Sequence, residues 1–167
     1  MSHLHSSRPP LVRHPLAQSH CSCTLLAHVV WSTDRRMAVL GRRLEPWLRD
    51  MLAAKAIEAG SRLLGIGVAD DHVHLLVRLP STATLAAVVQ RLKGASSYEC
   101  NRRGLVPTRL RWQCGYWAQS VGPDAVVPLM QYLATQREHH ACQPMSVLCD
   151  ESDAVSCEPA AGGLEAP

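Results

Sequence analysis

The chain has 167 residues, about one domain's worth, with 47% apolar and 19% charged residues and a formal net charge of +3. The apolar share supports a core and excludes a disordered polyelectrolyte. No apolar run nears the ~18 residues of a membrane span, so no membrane-crossing helix is expected.

The charge is partitioned. Residues 1–23 carry two Arg and no acid, residues 24–141 carry 15 basic and 9 acidic residues, and residues 142–167 carry five acids and no base. A basic middle attracts polyanions, nucleic acid above all, although a surplus of this size is also ordinary surface charge. Seven Cys at irregular spacing argue against a disulfide framework and for a reducing compartment, the cytoplasm. Phe is absent, so Trp, Tyr and the aliphatics must fill the core.

Residues 1–22 are rich in His, Ser and Pro, lack periodicity and lack the apolar stretch of a secretory signal. They read as a disordered head. Leu25–Ser32 is a β-branched apolar run, a first strand. Arg43–Ala59 places Leu44, Trp47, Leu48, Met51, Leu52 and Ile57 at helical spacing, with Pro46 in the first turn and Gly60 as a C-terminal cap. Arg62–Val68 and His72–Leu79 read as two strands, and the short Ala69-Asp70-Asp71 link predicts a hairpin. Thr84–Arg103 is a second helix, interrupted by Gly94, where a bend or a close approach is expected. Trp117–Val121 is a short fourth strand and Asp124–His140 a last helix. Residues 142–167 read as a disordered acidic tail, which leaves 23–141 as the domain. The order is β-α-β-β-α-β plus a helix, which predicts an α+β, ferredoxin-like fold: a four-stranded antiparallel sheet with two helices on one face. The other face then needs a cover, such as nucleic acid, a partner chain or the last helix.

Three constellations carry chemistry. His72-Val73-His74 lies within a strand, where alternate residues share a face, so both imidazoles project together and could share one metal ion. An isolated pair of this kind is more often two partly exposed strand histidines with no ligand. Tyr132 and Gln136 lie four residues apart on the last helix. There Val126, Val127, Leu129, Met130 and Leu133 fill one arc, and Tyr132, Gln136 and His140 run along its edge. Arg102, Arg103, Arg109 and Arg111, followed by Trp112, Tyr116 and Trp117, combine phosphate-pairing guanidinium groups with aromatic rings, a composition suited to single-stranded nucleic acid. A solvated loop with core-facing Trp would look the same.

Five segments in order and spacing make the pattern specific: Val29-Val30-Trp31-Ser32-Thr33, Asp71-His72-Val73-His74-Leu75-Leu76-Val77, Gln90-Arg91-Leu92-Lys93-Gly94-Ala95-Ser96-Ser97, Trp112-Gln113-Cys114-Gly115-Tyr116, and Tyr132 through His140. Over residues 25–141 this succession resembles the single-tyrosine HUH transposases of the insertion-sequence-200/605 group and their relatives associated with repetitive extragenic palindromes. The resemblance implies a cytoplasmic homodimer that binds imperfect hairpins at element ends and cuts single-stranded DNA. It implies Tyr132 as the nucleophile, and His72, His74 and Gln136 as the holders of Mg²⁺ or Mn²⁺. It also implies that the tyrosine helix of one subunit often completes the histidine site of the other. Arg91, Lys93, Arg102, Arg103, Arg109, Arg111, Trp112 and Tyr116 are candidates for DNA contact, and Asp70 and Asp71 are expected in the turn.

Two features depart from the pattern. Pro128 falls early in the tyrosine helix, where it deletes a backbone hydrogen bond unless it sits in the first turn. The histidines and cysteines of the head (His3, His5, His14, His20, Cys21, Cys23) match no tetrahedral metal spacing. The rival reading is a nucleic-acid-binding module on the same fold without catalysis, which has no need to retain His72, His74, Tyr132 and Gln136 together. A two-histidine phosphoesterase would require a second His-x-Ser/Thr motif in the domain, and none lies within residues 23–141.

Overall fold

The structure is a computed structural model and describes residues 23–136. The expected disordered head (1–22) and acidic tail (142–167) lie outside the described residues, as do His139 and His140. The elements run β1 (Leu25–Ser32), α1 (Glu45–Glu58), β2 (Arg62–Val68), β3 (His72–Leu79), α2 (Leu85–Arg102), β4 (Trp117–Ser120) and α3 (Val126–Ala134), with short 3-10 turns at Asp34–Arg36 and Pro123–Ala125. The strands form one antiparallel sheet in the order β2-β3-β1-β4. This is the ferredoxin-like α+β arrangement with an added C-terminal helix. No described helix is long and apolar enough to cross a membrane.

Local chemistry sets the element ends. Pro46 sits in the first turn of α1, where its missing N–H costs nothing. Gly60 follows that helix at φ +71°, a left-handed turn that favours glycine. Thr84 caps α2 by accepting a hydrogen bond from the Ala87 amide at 3.2 Å. The β2–β3 hairpin closes through the Ala69 amide donating to the His72 carbonyl at 2.9 Å. Gly94 makes no close approach: a Cβ there would meet nothing within 4 Å.

One face of the sheet builds the core. Val29 and Trp31 of β1 and Val73, Leu75 and Val77 of β3 pack with Leu48, Leu52 and Ala56 of α1 and Val88, Val89 and Leu92 of α2. Leu48, Leu52, Leu75 and Leu92 are fully buried, each worth about 1.5–3 kcal/mol relative to exposure.

The opposite face carries the alternate residues. Antiparallel register places His72 opposite Ser32, His74 opposite both Val30 and Gly67, Leu76 opposite both His28 and Gly65, and Trp117 opposite Val30. Helix α3 lies over the β2–β3 side of this face. It begins at Val126, later than Asp124, so Pro128 falls in its first turn, where no helical N–H is required.

Candidate active site

The packing of α3 is governed by two glycines. A Cβ at Gly67 would stand 2.9 Å from Gln136 Cβ and 3.0 Å from the Leu133 carbonyl oxygen, and one at Gly65 would stand 2.9 Å from Leu133 Cδ1. A strand with glycine at both positions on one face leaves a recess that another backbone can enter. Leu133 and Gln136 occupy it, and Gln136 is only 1% exposed. The apolar arc of the helix docks only in part: Leu133 is buried, but Val127 is 62% and Met130 41% exposed. The glycine recess, rather than the whole arc, decides how the helix sits.

This docking brings together the residues singled out from the sequence. His72 and His74 are buried, with ring centroids 5.0 Å apart. The half-buried Tyr132 ring meets His74 edge-on, with centroids 5.9 Å apart and planes at 77°. Gln136 packs on Gly67, the cross-strand partner of His74. All four belong to one chain.

Further groups, of which the sequence pointed only to Asp71, hold these rings. Asp71 is in the turn as expected, and its Oδ1 lies 2.5 Å from His72 Nδ1. Its other oxygen pairs with Arg36 Nε at 3.1 Å, and its carbonyl accepts from the Thr33 amide at 2.8 Å. Burial works to raise the Asp71 carboxyl, but the hydrogen bond from His72 and the charges of His72 and Arg36 outweigh it and hold the pKa below its ordinary value. Arg36 reaches Asp71 from a strained turn, in which Arg35 and Arg36 both adopt left-handed backbone at φ +53° and +57°. Such residues cost roughly 1–3 kcal/mol each and persist where neighbours fix them. The guanidinium also donates to Ser32 Oγ at 2.6 Å.

On β1, His28 Nε2 lies 3.0 Å from His74 Nδ1, and the two nearly parallel rings lie side by side with centroids 5.2 Å apart. Burial lowers the His28 pKa below its ordinary value. A signal for His28 existed in the sequence as a lone imidazole in an apolar strand. The Gly65-x-Gly67 spacing likewise signals a close approach. Nothing in local pattern foretold Arg36.

The nucleic-acid candidates fall into two groups. Several have protein partners: Arg91 pairs with Glu58 at 3.5 Å, and Arg102 and Arg103 both pair with Glu99. Lys93 Nζ donates to the carbonyls of Gln113 and Gly115 at 2.7 and 2.6 Å. Trp112 packs edge-on against the core Trp31 and donates its indole N–H to Ser96 Oγ at 3.0 Å. It is therefore a core-facing ring. Arg109 and Arg111, by contrast, line an open pocket of about 380 Å³ with Ser97, Tyr98, Asn101 and Leu110. Tyr98, which the sequence reading did not single out, is 64% exposed there, and Tyr116 is exposed nearby in sequence.

Residues 21–136 match the family described as "Transposase IS200 like". The chain belongs to the IS200-like transposase family. It is 26% identical over 117 residues to the ISDra2 transposase TnpA of Deinococcus radiodurans, across 66% of this chain and 83% of that one. A 1.90 Å crystal structure of a candidate transposase from Deinococcus radiodurans R1 superposes with a TM-score of 0.55 at 25% identity, covering 74% of this chain and 98% of the other. A REP-associated tyrosine transposase bound to a REP hairpin shares the fold, with a TM-score of 0.55 at 14% identity over 76% of this chain and 74% of that one.

Among the described residues, no group of three or more His, Cys, Asp or Glu side chains gathers as a metal cluster. Two imidazoles and the carboxamide of Gln136, whose Cβ and Cγ pack on the cross-strand partner of His74, are a donor set that fits a divalent cation. Each imidazole has its Nδ1 engaged by a protein group, a common second contact of metal-ligating histidine. The set carries no negative charge, so it suits an ion that also binds a phosphate of the substrate.

Proposed function

We propose that this transposase cleaves and rejoins single-stranded DNA at hairpin-bearing ends through a covalent 5′-phosphotyrosine on Tyr132, acting in the cytoplasm as a homodimer. The observation that carries this reading is the meeting of the Tyr132 ring with His74 while Gln136 seats beside it on Gly67. A non-catalytic binder does not require that convergence.

His72, His74 and Gln136 would hold Mg²⁺ or Mn²⁺, which when bound neutralises and polarises the scissile phosphate. The remaining chemistry belongs to the chain. A phenol has a pKa of ~10 and is a weak nucleophile at neutral pH, so its placement matters more than its basicity. The Tyr132 oxygen forms a bond to phosphorus as the bond to the 3′-oxygen breaks. The phenol gives up its proton and the departing 3′-oxygen gains one, so no net proton is consumed. The phosphodiester bond is conserved in the adduct. A 3′-hydroxyl from another strand can therefore reverse the step without ATP. Arg109, Arg111 and the exposed Tyr98 form the surface best suited to the bound strand, by phosphate pairing and base stacking.

The test is a labelled single-stranded hairpin oligonucleotide incubated with Mn²⁺ and run on a denaturing gel. Wild type leaves a protein-linked band. Tyr132→Phe loses that band entirely while retaining hairpin binding, and His72→Ala loses the Mn²⁺-dependent part of cleavage. An adduct that persists in Tyr132→Phe removes the assignment. Hairpin binding by wild type with no adduct in any divalent ion favours the non-catalytic reading.

A further inference from the structure

We infer that His28 is a positioning residue for His74, fixing which ring nitrogen of His74 carries the proton and which is open to a metal ion. The inference rests on reading His72, His74 and Gln136 as metal holders. It begins from register: His28 faces Leu76 across the β1–β3 ladder, two pairs along from the Val30–His74 pair and so on the same face as His74. From there its Nε2 reaches His74 Nδ1 at 3.0 Å in a buried contact.

One proton lies in that contact, and two arrangements are available between neutral rings. Either His28 donates from Nε2, which leaves the His74 proton on Nε2, or His74 donates from Nδ1, which leaves the lone pair on Nε2. Only the second makes His74 a ligand through Nε2. His72 faces no such choice. Its Nδ1 meets the Asp71 carboxylate, an acceptor only, so its proton is held on Nδ1. The two imidazoles of the pair are thus anchored alike, one by a carboxylate from the turn and the other by a neutral acceptor from β1.

The His28 ring is held in place for this task. Its plane lies within 26° of that of His74, side by side with it, and the Trp117 ring of β4 meets it edge-on with centroids 5.4 Å apart. A residue placed only to fill space needs neither the in-plane contact nor that clamp.

The test reads the proton directly. Long-range ¹H–¹⁵N spectra of the metal-free full chain at neutral pH should show His74 as the Nδ1–H tautomer. In His28→Leu, His74 should move toward the Nε2–H form. Mn²⁺ affinity in the presence of hairpin DNA, followed by the spin-resonance signal of free Mn²⁺, should weaken roughly 10–100-fold, the usual effect of losing such a support. His28→Gln, whose side-chain oxygen reaches about as far and accepts, should recover most of that affinity. A purely structural role would not distinguish Leu from Gln in this way. His74 found as Nε2–H in wild type overturns the inference, and so do Leu and Gln variants with equal Mn²⁺ affinity. If the Leu variant fails to fold, the wild-type spectrum and the Gln variant still decide. His74→Ala separates the two levels of argument. If it abolishes Mn²⁺ binding while His28→Leu does not, only the role of His28 fails. If His74→Ala binds Mn²⁺ like wild type, the metal site itself fails.

Discussion

On one face of the sheet, Val73, Leu75 and Val77 meet the aliphatic side chains of α1 and α2; on the other, His28, His72 and His74 lie under or beside α3 with equally little exposure. The first face is held by the removal of hydrocarbon from water, which is non-directional and tolerant of detail. The second buries imidazole and carboxamide groups, each costing roughly 1–3 kcal/mol if left without compensation. That cost is offset by directed contacts: Asp71 on His72, His28 on His74, Arg36 on Asp71. The core face therefore supplies stability, and the site face draws on it to keep reactive groups in fixed positions.

That division can be broken from the core side, where the largest change in stability is expected. Leu75 has no exposed surface and points to the face opposite His72 and His74 of the same strand. Leu75→Ala should cost about 2–5 kcal/mol, the usual range for a buried leucine. Urea denaturation measures the loss. Cleavage per folded molecule should stay at the wild-type level, and a drop beyond the folded fraction would show that the two faces are not separable.

The same contrast explains what could be read from the sequence. Strands β1, β2 and β3 match their expected bounds to the residue because β-branched runs ended by polar or proline residues leave little choice. The core positions of α1 and α2 follow from helical period. The histidine pair was visible because two residues apart in a strand means one face. What escaped depended on the neighbours of an element rather than on the element itself. A helical wheel ranked Val127 and Met130 with Leu133, yet only Leu133 is buried, because the recess lies on β2 and not on α3. His28 acquires meaning only once register sets it beside His74. Arg36 depends on two consecutive left-handed residues, which no periodicity reports. Trp112 groups by sequence with loop aromatics because its neighbours are basic, although its ring belongs with Trp31.

From the site side, Gly67→Ala reverses the pattern. The new Cβ would press on Gln136 Cβ at 2.9 Å and on the Leu133 carbonyl at 3.0 Å, both rigidly part of the α3 segment. The segment must shift, and overpacking of this kind costs about 1–3 kcal/mol. Displacing Tyr132 and Gln136 by an ångström should reduce cleavage on the order of 10²-fold, far more than the lost stability implies. Adduct formation per folded molecule measures this. A variant with wild-type cleavage would mean that α3 does not occupy this docked position during the reaction.

Gly65→Ala is the finer probe, because it alters the same strand face two residues away. Its Cβ would meet Leu133 Cδ1 at 2.9 Å, the far end of a flexible side chain, while Met130 Cγ and Leu76 Cβ lie at ordinary contact distances of 3.6 and 3.7 Å. Leu133 can turn aside without moving the helix backbone. Replacing glycine also restricts the unfolded chain, which stabilises by about 0.4–1 kcal/mol where the backbone tolerates it. These effects oppose each other, so unfolding stability should change by less than about 1 kcal/mol and cleavage by only a few-fold. The ratio of cleavage between the two alanine variants is therefore the quantity to measure. A large ratio places the constraint on the backbone carrying Gln136. A ratio near one would mean that side-chain bulk anywhere along the recess disturbs the site equally, and that the seat of Gln136 on Gly67 has no special part in it.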